Sequence, residues 1–148
     1  MKYEINDETV ALIPIDSSTT RVLELENEYI IKQPAFNIME ENCEYYGSTY
    51  DGRVKAAKKI LNFGYKIPIV VEETEKLIFF PTKAVANNNC AWINSNYVSK
   101  REKNGKKIKV EFQNGVEEEF DISKISFENQ LLRANMLNSI LSTRINKK

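Results

Sequence analysis

The chain has 148 residues, 42% of them hydrophobic and 28% charged, which is enough to bury a core within one domain and too apolar for a disordered tail. It contains no histidine and only two cysteines, Cys43 and Cys90, which removes Ser-His-Asp and Cys-His catalysis, leaves too few ligands for a structural zinc site, and gives no reason to expect a metal or cofactor. The net charge is zero but unevenly spread: residues 1–50 carry 3 basic and 10 acidic side chains, residues 51–109 carry 13 and 5, and residues 110–148 carry 5 and 6.

The segment from Met1 to Val10 holds Glu4, Asp7 and Glu8, where a secretory signal would be basic and then strongly apolar. No apolar run approaches the roughly 20 residues of a membrane span, so a cytosolic protein is expected. Short β-like runs follow at Thr9–Ile15, Arg21–Leu25 and Tyr29–Ile31, separated by Asp16-Ser17-Ser18 and by Asn27, with Pro34 closing this part. A helix is predicted near Gly52–Asn62, capped by Asp51 or Ser48 and stopped by Gly64. Val54, Ala56, Ala57, Ile60 and Leu61 share one side of its wheel, and Lys55, Lys58 and Lys59 the other.

Two strands come next, Ile67–Val71 and Leu77–Phe80, joined by a polar turn over Glu72–Lys76. After the loop Asn87-Asn88-Asn89, Cys90–Val98 reads as one strand carrying Trp92, Ile93 and Tyr97. Lys107–Phe112 alternates with period two, Asn114-Gly115 suggests a type I′ turn, and Val116–Ile122 returns. The last helix is predicted to begin after Ser126. One apolar stripe holds Phe127, Leu131, Ala134, Leu141 and Ile145, and a second holds Leu132, Met136 and Ile140. The second stripe either packs within the chain or forms a homodimer contact. The fold class is α+β, antiparallel β-hairpins packed with two main helices, in a single domain over residues 1–148.

No motif sets a nucleophile beside a base, and an enzyme is not expected. The basic middle third points to an anionic partner, or else pairs with the acidic first third inside one fold. Arg53 lies in the first turn of its helix, where a cation opposes the helix dipole. A bound phosphate would compensate it, and so would an internal carboxylate such as Glu40, Glu41 or Glu44. Lys55, Lys58 and Lys59 form a solvated face or a phosphate-binding one. Lys100, Arg101, Lys103, Lys106 and Lys107 cluster around Asn104-Gly105, on a loop that is either an ordinary solvated one or one that enters a narrow minor groove. Tyr45, Tyr46, Tyr50, Trp92, Phe79 and Phe80 read as packing groups. Asn129 and Gln130 read as capping or interhelix groups. Both cysteines are expected as free buried thiols.

Four stretches carry a family resemblance: CEYYGSTYDGRVKAAKKI from Cys43, KIPIVVEETEKLIFFPT from Lys66, CAWINSNYV from Cys90 and SFENQLLRANML from Ser126. In this order and spacing the chain resembles the ComK family of competence transcription factors of Gram-positive bacteria. The resemblance implies a cytoplasmic, nucleoid-associated activator. It would bind paired A/T-rich promoter boxes in double-stranded DNA, largely through the minor groove, as a homo-oligomer that engages the transcription machinery. On that view Arg53, Lys55, Lys58, Lys59, Lys100, Arg101, Lys103, Lys106 and Lys107 contact DNA, and Leu132, Met136 and Ile140 form the dimer interface. The family pattern continues into a longer C-terminal tail, recognised in one member by a proteolytic adaptor. Nothing after Leu141 resembles that tail, which leaves the adaptor contact and the strength of activation open. The other reading is an interaction module that pairs with a full-length relative and modulates it without activating genes.

Overall fold

The computed structural model describes residues 1–145, so the last three residues of the expected 1–148 domain lie outside the described ones. Six short strands build one antiparallel sheet: β1 (Thr9–Asp16), β2 (Thr19–Glu24), β3 (Glu28–Ile31), β4 (Ile69–Glu72), β5 (Leu77–Pro81) and β6 (Trp92–Asn94). Their order is β3-β2-β1-β6-β5-β4. A second sheet, β7 (Val98–Asn104), β8 (Lys107–Phe112) and β9 (Glu117–Phe120), is a meander. Three helices accompany them, α1 (Ala35–Tyr45), α2 (Tyr50–Leu61) and α3 (Lys124–Ile145). The α+β class holds.

The central strands β5 and β6 are buried at every position, because both faces of the six-stranded sheet are covered there. Ile69, Val71, Leu77, Phe79 and Trp92 face one side, where the N-terminal segment and α1 supply Tyr3, Ile5, Ile38, Met39 and Cys43. Val70, Ile78, Phe80, Ala91 and Ile93 face the other, under the second sheet and α3 with Ile108, Val110, Phe112, Phe127 and Leu131. A bulge between Thr9 and Ala11 lets the adjacent residues Val10 and Ala11 join the same core. Arg21 ties the layers together, reaching Glu28 at 3.5 Å and Glu118 of β9.

The helix α1 is not among the predicted elements. Its buried residues Ala35, Ile38, Met39, Asn42 and Cys43 follow helical spacing, but one of the five is polar, and the capping position is Pro34, with no side-chain acceptor. Asn42 is fully buried because it is satisfied: its Oδ1 accepts from the Ile5 amide at 2.8 Å, and its Nδ2 donates to the carbonyls of Tyr3 and Ile38 at 3.0 and 2.8 Å.

Local details also depart from the predictions. The cap of α2 is Thr49, whose Oγ1 accepts from the Gly52 amide at 2.9 Å, rather than Asp51 or Ser48. The helix stops at Asn62, in the left-handed region at φ 53°, two residues before Gly64. Cys90–Val98 is broken: the Asn94 side chain accepts from the Asn96 amide and caps a 3-10 turn over Ser95–Tyr97, which carries the chain from one sheet to the other. Gly115 has positive φ but Asn114 does not, and the Gly115 amide bonds the Phe112 carbonyl. That is a three-residue loop with a glycine bulge, not a type I′ turn. α3 begins at Lys124, before Ser126.

Candidate nucleic-acid interface

The expected basic loop from Lys100 to Lys107 is a tight hairpin. Asn104 pairs with Lys107, which leaves only Gly105 and Lys106 in the turn, and Gly105 has φ 63°. A positive φ at the first turn residue alone is the II′ pattern, which suits the twist of paired strands. Lys103, Asn104 and Lys106 are exposed at the tip.

Strand direction decides what this tip lies near. At one end of the six-stranded sheet β1, β3 and β5 begin and β2, β4 and β6 finish. That end carries Asp7, Glu8, Glu24, Glu26, Glu28, Glu72, Glu73 and Glu75 on three separate segments. The start of β7 and the β8–β9 turn lie there too: Tyr97 Oη donates to the Asp7 carbonyl, and Asn114 Nδ2 donates to the Leu25 carbonyl at 3.0 Å. The end of β9 lies at the opposite end, because Asp121 pairs at 2.8 Å with Lys83, just beyond β5. Phe120 is opposite Ile108, so the β7–β8 tip projects from that same opposite end.

The helix α2 runs between the same two ends. Arg53 in its first turn pairs with Glu73 at 2.6 Å, in the β4–β5 turn at the acidic end. Past its C-terminus, Phe63 lies under the Arg133 guanidinium, 3.4 Å from the ring centroid, and Lys66 gives its carbonyl to Gln130 at 3.0 Å. The same Gln130 amide donates to the Pro81 carbonyl at 3.0 Å, which fixes this end of α2 beside the end of β5.

Lys58 and Lys59 in the last turn of α2, Lys103 and Lys106 at the hairpin tip, and Lys107 therefore share one end of the molecule. Lys66 and Lys83, which the sequence reading did not single out, share it too. Lys58, Lys66 and the exposed Tyr65 line an open groove of about 670 Å³ beside α2. The signal for Lys66 and Lys83 was positional, since each flanks a sheet strand on the basic side, and that is invisible before the topology is known. Lys55 lies on the same exposed face of α2, one turn back.

Three expected DNA contacts are placed elsewhere. Arg53 has a side chain only 13% exposed and is engaged by Glu73, so its compensation is an internal carboxylate, on a different segment from the three weighed. Arg101 is clamped by Glu128 through two bonds of 2.9 Å, with a third to the Ser99 carbonyl. Lys100 stands at the start of β7, opposite Glu111 and away from the tip. On the outer face of the second sheet, Lys109 and Lys107 pair with Glu117 and Glu119 at 3.2 and 3.7 Å, which reduces the field along the hairpin stem but not at its tip. Among the described residues, Lys58, Lys59, Lys103 and Lys106 form no salt bridge.

Leu132 and Met136 are 58% and 45% exposed on α3, Ile125 is 77% exposed one turn pair before them, and Ile140 is half-buried. Among the described residues Leu132 and Met136 stay largely uncovered. Both cysteines are free and buried. Burial pushes the Cys43 thiol up to about 11, and burial raises Cys90 as well, opposite to the shift that activates a thiol. No helix among the described residues is long and apolar enough to cross a membrane.

Fold and charge together define a two-sheet α+β protein with one basic and one acidic end. The chain belongs to the ComK family, whose model, described as ComK protein, matches residues 1–146. It is similar to the competence transcription factor of Bacillus subtilis (strain 168), with 29% identity over 147 residues, covering 97% of this chain and 77% of that protein. No solved structure matches it.

Proposed function

We propose that this protein is a DNA-binding transcription factor of competence genes, acting on A/T-rich promoter boxes in the cytoplasm. The observation that carries the reading is the gathering of Lys58, Lys59, Lys66, Lys83, Lys103 and Lys106 at one end of a chain with zero net charge. Family membership and the relative's role support it.

In this reading the lysines of α2 and its C-terminal connection hold phosphates, and the β7–β8 tip enters the minor groove. A tip of two residues with glycine at the turn is narrow enough for an A/T-rich groove, whose negative potential favours the cations Lys103 and Lys106. Asn104 beside them supplies a hydrogen-bonding group, although its Nδ2 is held by Glu119 at 2.5 Å without DNA. The exposed stripe of Leu132, Met136 and Ile140 is the self-association surface that sets two such tips at a fixed spacing on paired boxes. The same stripe favours the second reading, a module that captures a longer relative.

An electrophoretic shift series with A/T-box and G/C-rich duplexes tests this. Selective, salt-sensitive binding to the A/T duplex is the expected result. Equal or absent binding at physiological salt sinks the DNA reading, and co-purification of a relative without DNA binding establishes the module.

A further inference from the structure

A cleft of about 180 Å³ separates α2 from the C-terminal half of α3, over β4 and β5. Its body is apolar, formed by Ala57, Ile60, Val70, Ile78, Leu137 and Leu141. Arg53, Glu73, Lys76 and Asn138 add polar groups to its lining. A dry apolar cavity of about 150 Å³ accepts benzene, so this one takes a ring or short alkyl chain of similar size.

The polar groups select the rest of the ligand. Arg53 carries an unanswered donor: Glu73 takes one terminal nitrogen, while Nε is buried without a partner. A buried donor left open is costly, and charged donors more so. Lys76 occupies the left-handed region at φ 53°, a conformation that a lysine adopts at a cost, and its Nζ donates to Ser142 of α3 at 2.6 Å. The lining itself holds two cations and one carboxylate, with Glu72 close enough to Arg53 to interact with it.

We propose that this cleft is a binding site for a small monocarboxylate with an apolar body. The body fills the space between Ile60, Ile78 and Leu137, and the carboxylate meets the Arg53 guanidinium on the side that Glu73 leaves open, with Lys76 nearby. Such a ligand touches both the helix that carries the lysines and the helix that carries the exposed apolar stripe. The site itself is independent of the DNA reading and is tested without DNA.

Benzoate and its neutral counterpart benzamide are titrated into the isotope-labelled full chain, with methyl resonances read by NMR. The expected result is saturable shifts at Ile60, Val70, Ile78, Leu137 and Leu141, with benzoate roughly tenfold tighter, as a charge-assisted bond requires. Arg53→Gln removes the preference for the anion while retaining weak binding of both. Because Arg53→Gln disturbs an ion pair, Ala56→Phe supplies a second variant: Ala56 is an exposed residue of the cleft lining, so the fold survives and the cleft is obstructed. It abolishes binding of both probes. Absence of saturable shifts at millimolar probe, equal affinity for benzoate and benzamide, or unchanged binding in Ala56→Phe each overturns the assignment.

Discussion

Arg101 of β7 and Glu128 of α3 meet in a two-pronged pair, Nε to Oε1 and Nη2 to Oε2, both 2.9 Å. The pair fastens the second sheet to the first turns of α3. It also draws a boundary through the basic hairpin, since Arg101 is structural while Lys103 and Lys106 beyond it are not engaged.

That boundary yields the first prediction. Both side chains are about one-third exposed, so solvent screening keeps the coupling near 1 kcal/mol in a double-mutant cycle of Arg101→Met and Glu128→Gln by urea unfolding. The Arg101 hydrogen bonds hold the Glu128 carboxyl below its ordinary value. Its folded value lies below its unfolded one, so the coupling is complete above the ordinary glutamate value of about 4.3 and is lost as pH falls through the depressed one. A coupling that survives at pH 2 contradicts the assignment.

DNA affinity separates the two ends of the same hairpin. Each phosphate contact contributes about 0.9 to the slope of log K against log salt. Lys103→Glu with Lys106→Glu is expected to reduce that slope by about 2, whereas Lys100→Glu, at the far end of β7, leaves it nearly unchanged. Fluorescence anisotropy across a salt series measures both. An equal effect at Lys100 places the contact on the stem instead.

The fold was legible in the sequence wherever one residue type repeats at a fixed period. Val70, Ile78, Phe80 and Ile93 alternate with a second apolar set, and every strand they define exists. What escaped was the helix α1, because its core face includes Asn42, a polar side chain two of whose three partners lie 37 and 39 residues earlier in the chain. The candidate site was half legible for a related reason. Sequence identifies a lysine but not its neighbours, so Arg53 and Arg101 stood beside Lys58 and Lys106 until topology brought Glu73 and Glu128 to the arginines.

Asn42 therefore makes a sharp stability test. Asn42→Leu keeps the volume but leaves the Ile5 amide and the Tyr3 carbonyl without their side-chain partner. A loss of about 3 kcal/mol is expected from urea unfolding. A loss below 1 kcal/mol indicates that the N-terminal segment contributes little to holding α1.

At the start of α2, glycine-to-alanine substitution inverts its usual effect. Alanine in an exposed helix ordinarily stabilises by about 0.5–1 kcal/mol. At Gly52 an added Cβ would lie 2.9 Å from Thr49 Oγ1 and 3.2 Å from Ser48 Oγ. Gly52→Ala is expected to displace the cap, whose loss of about 1 kcal/mol outweighs the usual gain and leaves a net loss of up to about 0.5 kcal/mol, whereas the same change added to Thr49→Ala recovers about 0.5–1 kcal/mol. Thermal unfolding of the three variants measures this, and a gain for Gly52→Ala refutes it.

Leu132→Asp on the exposed stripe of α3 is expected to shift sedimentation toward monomer with little change in the unfolding midpoint, since that side chain is 58% exposed. A monomeric parent protein at tens of micromolar removes the stripe from self-association.

The separation of charge has a further consequence for handling the molecule. With zero net charge and a pI near 6.4, copies do not repel one another as wholes, while the lysine end of each attracts the carboxylate end of the next. At roughly 0.01 M salt the screening length is about 30 Å, comparable to a small domain, so end-to-end attraction between copies is strongest there. Added salt screens that attraction and at the same time loosens the grip on a polyanion. If the proposed function holds, the salt that separates the molecules is also the salt that weakens their hold on DNA.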